Sequence, residues 1–162
     1  MKAKQEPGGP AVERAQQNRA FDALRAELKV PGEFPPDVIA EAKTGAGVAA
    51  LPQRDETALP FLTIDPPGSR DLDQAMFIER AAKGYRVRYA IADVSAFVKP
   101  GGAIDDEARK RGRTIYAPDG RTPLHPDQLG EDAASLLPNQ VRPAFIWDIL
   151  LDSEGEGISV DV

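Results

Sequence analysis

The sequence predicts an α+β fold, and three observations carry that prediction. Segments rich in Ala, Glu, Arg, Gln and Leu with helical spacing come first, and period-two apolar segments follow from Phe61 onward. Fifteen prolines and fourteen glycines punctuate the joins. At 162 residues and 41% hydrophobic content, the chain can bury a core of ordinary domain size.

The elements follow in order. Residues 1–10 are polar, with Pro7, Gly8, Gly9 and Pro10, and read as a flexible lead. Residues 11–29 form a helix with Phe21, Leu24 and Leu28 on one face, stopped by Pro31-Gly32. A shorter helix over 37–43 turns Val38, Ile39 and Ala42 inward, and 44–57 is a linker of small and polar residues. The chain thus divides into an N-terminal helical segment with linker, 1–57, and a second region, 58–162. There, strands are expected over 61–64, 75–79 and 85–92. In the last of these Tyr85, Val87, Tyr89 and Ile91 take the core face, while Arg86, Arg88, Ala90 and Ala92 take the other. A helix over 103–111 ends at Gly112, and a strand over 113–117 follows. Residues 144–151 form a strand that buries Trp147, and a Ser-Glu-Gly-Glu-Gly turn leads into 158–162. The sequence stops inside a hairpin, so a fragment of a longer domain is expected.

The segment LTIDPPGSRDLDQA, residues 62–75, carries the chemistry. Asp71 and Asp73 are two apart and share a face in extended chain, and the Pro66-Pro67-Gly68 turn can fold Asp65 back toward them. Three carboxylates would then converge on one spot, and a divalent cation relieves their repulsion. Spacing alone is equally compatible with a solvated turn. With no cysteine and one histidine, zinc sites of the nitrogen and sulfur kind are disfavoured, so any metal is oxygen-bound, as Mg²⁺ requires. A net charge of −6 argues against a module that coats nucleic acid. It is compatible with a nuclease, whose metal ions meet the phosphate. No run approaches the roughly 20 apolar residues of a membrane span, which leaves the cytoplasm as the expected location.

The motif resembles the entry strand and loop of the ribonuclease II / ribonuclease R catalytic domain, in which a strand ending in Asp is followed, five residues on, by Asp-x-Asp-Asp-Ala. Residues 85–120, with Ile91-Ala92-Asp93-Val94 and Tyr116-Ala117-Pro118-Asp119-Gly120, resemble that family's next stretch. Residues 122–143 match its proline, leucine and Ser-Leu spacing. The resemblance covers about residues 60–152, the first part of a mixed-sheet domain that is about twice as long in the family. It implies a metal-dependent hydrolytic 3′-to-5′ exoribonuclease that acts on single-stranded RNA and releases nucleoside 5′-monophosphates, with Mg²⁺ or Mn²⁺ as cofactor. Asp65, Asp71 and Asp73 take the first three acidic positions, and Asp73, with Asp71, is the catalytically sensitive one. The fourth aspartate is Gln74 here, a carbonyl donor without charge or an orienter of the others. Tyr116 would stack on bases and Arg113 would touch the RNA backbone, with Arg109, Lys110 and Arg111 as further candidates. Asp93 is expected to cap the following turn, and His125 has no partner to suggest chemistry. The alternative is a non-catalytic RNA-binding or regulatory relative, or an inactive fragment; a metal-binding structural module ranks third.

Overall fold

The computed structural model describes residues 10–45 and 51–162, without side-chain detail for 10–17. The expected lead, apart from Pro10, and the 46–50 part of the expected linker lie outside the described residues. The described chain forms two compact units, residues up to Glu33 with Arg111–Leu124, and Phe34–Lys110 with His125–Val162.

In the first unit, helix α1 (Pro10–Glu27) starts on a proline, whose fixed φ suits a first helical turn. It ends where Lys29 adopts a left-handed φ of 53°. The face expected to be apolar stays open, with Leu24 and Leu28 exposed. Strands β3 (Ile115–Ala117) and β4 (Gly120–Thr122) form a hairpin across Pro118-Asp119, and β4 was not foreseen because three residues give no readable period. Arg25 on α1 reaches Asp119 in that turn at 2.5 Å. Arg111 is buried and donates to the carbonyls of Gly32 at 2.8 Å and Pro123 at 3.3 Å, so it is not available to RNA.

The second unit holds the core and the main sheet. Helix α2 (Pro36–Gly45) turns Val38 and Ala42 inward against Ile104 of α3 (Ala103–Arg111). A π-helical turn, Leu129–Ala133, completes the cluster through Leu129, Ala133 and Ala134. Gln74–Ala81 (β1), Gly84–Ala92 (β2), Ala144–Leu151 (β5) and Gly157–Asp161 (β6) form a sheet in the order β1-β2-β5-β6. The α+β class holds, but every pairing is antiparallel where a mixed sheet was expected. Parallel pairs need long crossovers, and here β1–β2 and β5–β6 are joined by short turns. At the first of these turns Gly84 has φ 149°, and a Cβ there would lie 2.1 Å from the Leu151 carbonyl oxygen.

Two burial expectations are reversed. Arg88, Ala90 and Ala92 are the buried residues of β2, while Ile91 is exposed. Trp147, expected in the core, is 41% exposed. A carboxylate decides the orientation. Asp148 is buried beside Arg88 and receives both Arg86 Nε at 2.7 Å and Nη2 at 2.5 Å, so two arginines on one strand face find a partner inward. Small alanines on that face admit segment 54–61, whose Phe61 meets Phe77 edge-on at 6.5 Å and whose Arg54 approaches Asp148 at 3.6 Å. The opposite face carries Ile78, Ile91, Phe145, Trp147 and Val160, all exposed.

Candidate metal centre

The acidic segment is positioned by the start of β1. Leu62 and Met76 exchange backbone hydrogen bonds of 2.9 and 2.8 Å, which fold residues 61–65 back alongside the strand. A strand over 61–64 was expected; only this single bridge forms, because the chain turns away into Pro66-Pro67-Gly68, where the prolines offer no donor. Gly68 sits at φ 88°, the left-handed region glycine tolerates, and Ser69 N–H closes the turn on the Pro66 carbonyl at 3.1 Å. Asp65 is thereby returned toward residues 71–73.

Alternation then sorts the next residues. Leu72 is buried, while Asp71 and Asp73 on either side of it face a cleft of about 290 Å³. The cleft is lined by Asp65, Asp71, Asp73 and Gln74, with Leu62, Ile64, Met76 and Tyr89 as walls. The Asp73 backbone is fixed by Ala92 N–H, which donates to its carbonyl at 2.9 Å. Gln74, the first residue of β1, accepts the Tyr89 hydroxyl through its amide oxygen. That contact makes Gln74 an oriented wall of the cleft, and Tyr89 is a site residue that sequence reading missed. Tyr89 stands on β2 in register with Met76, on the same sheet face as Gln74, a proximity that no local sequence pattern marks.

The electrostatics point one way. Partial withdrawal of the Asp73 carboxyl from water, then the charges of Asp71 and Asp65, hold its pKa above the ordinary carboxylate value. Nearby like charges of that kind are what a cation relieves. The donors are all oxygen, which suits Mg²⁺ or Mn²⁺. Convergence on a single point is not reached, however. Among the described residues no three Asp, Glu, His or Cys side chains are placed to hold one ion. The carboxylates share a cleft without closing on one centre.

The remaining candidates are placed as follows. Tyr116 on β3 is 74% exposed, opposite Arg121 in the hairpin register, and Arg113 is exposed just before it. Both belong to the first unit, the acidic cleft to the second. Arg109 pairs with Asp105 at 3.0 Å and Lys110 with Glu107 at 3.8 Å, both within α3. Asp93 caps a 3₁₀ turn, Val94–Ala96, accepting from Ala96 N–H at 3.1 Å and the Ser95 hydroxyl at 2.5 Å. No described helix is long and apolar enough to cross a membrane.

Residues 53–162 match the family described as RNB domain. Exoribonuclease 2 of Vibrio cholerae is 39% identical over 108 residues, 66% of this chain and 16% of that protein. Ribonuclease R of Buchnera aphidicola is 39% identical over 104 residues, 62% of this chain and 14% of that protein. Among solved structures, RNase R of Mycoplasma genitalium in complex with ribose methylated single-stranded RNA superposes with a TM-score of 0.77 at 27% identity, covering 88% of this chain and 23% of that one. The same protein with double-stranded RNA gives 0.76 at 27% identity, covering 88% and 26%. The chain therefore spans a small part of each relative's length, and with most of its residues inside the match it belongs to the RNB domain family.

Proposed function

We propose that this chain contributes the metal-holding loop of a hydrolytic 3′-to-5′ exoribonuclease acting on single-stranded RNA in the cytoplasm and releasing nucleoside 5′-monophosphates. The observation that carries the reading is the cleft in which Asp65, Asp71, Asp73 and Gln74 stand together at the head of β1. Relatives named Exoribonuclease 2 and Ribonuclease R support it.

Asp65, Asp71 and Asp73 would hold Mg²⁺ or Mn²⁺, with Gln74 as a neutral oxygen donor. Such ions supply Lewis-acid stabilisation of the phosphoryl oxygens and lower the pKa of water. The chain's own residues prepare the place. Asp71 and Asp73 concentrate negative charge that would repel phosphate without a cation, so binding of RNA and of metal are coupled at this cleft. Tyr89 fixes the Gln74 amide, and Leu62 and Ile64 give one wall an apolar surface. In the reaction, water attacks the terminal phosphorus in line and the bond to the preceding 3′ oxygen breaks. A nucleoside 5′-monophosphate leaves, and a new 3′-hydroxyl remains. Tyr116, exposed on its hairpin, offers a ring on which bases stack regardless of sequence, with Arg113 beside it for the backbone.

A second reading, a non-catalytic RNA-binding relative, is favoured by Gln74 in place of a carboxylate. The two readings separate on digestion of 5′-labelled single-stranded RNA by this chain joined to the remainder of an RNB-family relative. The enzyme reading expects Mg²⁺-dependent loss of 3′ nucleotides. It also expects Asp73→Asn to slow that loss by about a hundredfold or more, with RNA affinity changed only a few-fold, since the change deletes a charge at the chemistry and no phosphate contact. Undiminished cleavage by the variant removes Asp73 from the mechanism.

A further inference from the structure

Asp71 and Asp73 lie in a loop, yet residues 70–72 are held from one side by a single buried hydroxyl. Ser135 is 1% exposed. Its Oγ donates to the Arg70 carbonyl at 2.5 Å and accepts from Leu72 N–H at 2.9 Å, so its two partners flank Asp71. The next residue adds a third bond, Leu136 N–H to the Leu72 carbonyl at 2.9 Å. Arg70 Nη2 reaches the Glu131 carbonyl at 3.3 Å, tying the same segment to the π-helical turn.

From this arrangement we infer that Ser135 is a positioning residue for the metal-holding loop, fixing where Asp71 and Asp73 present their carboxylates. The inference rests on the metal reading given under Proposed function. A buried serine that merely satisfies its own hydroxyl is the ordinary alternative, and three features distinguish this one. First, donor and acceptor are both spent on the loop rather than on Ser135's own turn. Second, Ser135 follows Ala133 and Ala134, which lie in the core cluster with Val38, Ala42, Ile104 and Leu129, so its anchor is the buried core of the unit. Third, the loop residue it holds, Leu72, is buried and shares the lining of one cavity with Leu136 and Leu137, the residues that follow Ser135. The core thus sets the height of Ser135, Ser135 sets the backbone at 70–72, and alternation about Leu72 aims the two carboxylates. The π-helical turn contributes by placing Ser135 at its exit, a role that widened helical turns often play beside functional sites.

The test uses the 162-residue chain with Ser135→Ala and, as a control, Ile104→Val, which loosens the same core without touching the loop. Two quantities are read at a temperature where each variant is folded: amide hydrogen exchange at Leu72, and Mn²⁺ affinity by titration. The clamp predicts that Ser135→Ala speeds exchange at Leu72 by about tenfold or more relative to β2 amides and weakens Mn²⁺ binding about ten- to a hundredfold, the usual effect of losing a group behind a ligand. Ile104→Val leaves Mn²⁺ affinity unchanged. If Ser135→Ala binds Mn²⁺ as the unsubstituted chain does, the positioning role is overturned while the metal reading stands. If the unsubstituted chain takes up no Mn²⁺, the metal reading is overturned and this inference falls with it.

Discussion

His125 shows how a single group ties this fold to pH. Its Nδ1 is buried without a hydrogen-bond partner, and burial lowers the imidazole pKa from its ordinary 6.5. A depressed histidine takes up its proton more readily in the unfolded chain. Stability is therefore intact above about pH 6.5 and falls as the pH drops through the window between that value and the depressed one. Urea midpoints at about pH 7.5 and about pH 5.5 should differ in the unsubstituted chain, and His125→Gln, neutral throughout, should remove most of that difference. Equal midpoints without the substitution would contradict the burial of the ring as a cost. Asp148 acts in a different window. Hydrogen bonding from Arg86, then the charges of Arg86, Arg88 and Arg54, hold its carboxyl below the ordinary value, so its contribution is lost only as pH falls below the usual carboxylate range. The metal-site residues themselves were legible as types and spacing. Tyr89 and Ser135 were not, because each acts on the site from far along the chain, and no local pattern marks a residue whose partner lies 15 or 63 positions away.

Helix α3 depends on a cap that comes from another helix. Glu41 of α2 accepts Ala103 N–H at 2.6 Å, satisfying a donor that the first turn of α3 cannot pair internally. Gly102 makes the approach feasible, since a Cβ there would stand 2.5 Å from Glu41 Oε1. Gly102→Ala should therefore destabilise the chain by about as much as losing a cap, roughly 1 kcal/mol, and so should Glu41→Ala. Combined, they should cost little more than either alone, because both break one contact; fully additive losses in denaturant titrations would show that Gly102 and Glu41 act separately. The helices and the long strands were readable from periodicity. The facing of β2 was not: Tyr, Val and Ile alternating with Arg and Ala points the arginines outward, and only the buried Asp148, from β5, makes the inward choice favourable. Trp147 follows from that choice, since Asp148 next to it takes the inner face and leaves the indole exposed.

Across the whole molecule, an acidic chain of net charge −6 places three carboxylates in one cleft and leaves an apolar sheet face open. The cleft belongs to a unit with its own core, whereas the exposed tyrosine proposed for base stacking belongs to the other unit. The chain spans 16% of the Vibrio cholerae relative, so RNA turnover stands as a proposal, while cation binding can be tested in the chain itself. Crystals of this chain soaked in Mn²⁺ and measured at the manganese absorption edge answer that question at the atoms concerned. Anomalous scattering is expected in the cleft bounded by Asp65, Asp71 and Asp73, together with its loss in Asp73→Asn. Manganese bound elsewhere, with that cleft empty, would contradict that expectation.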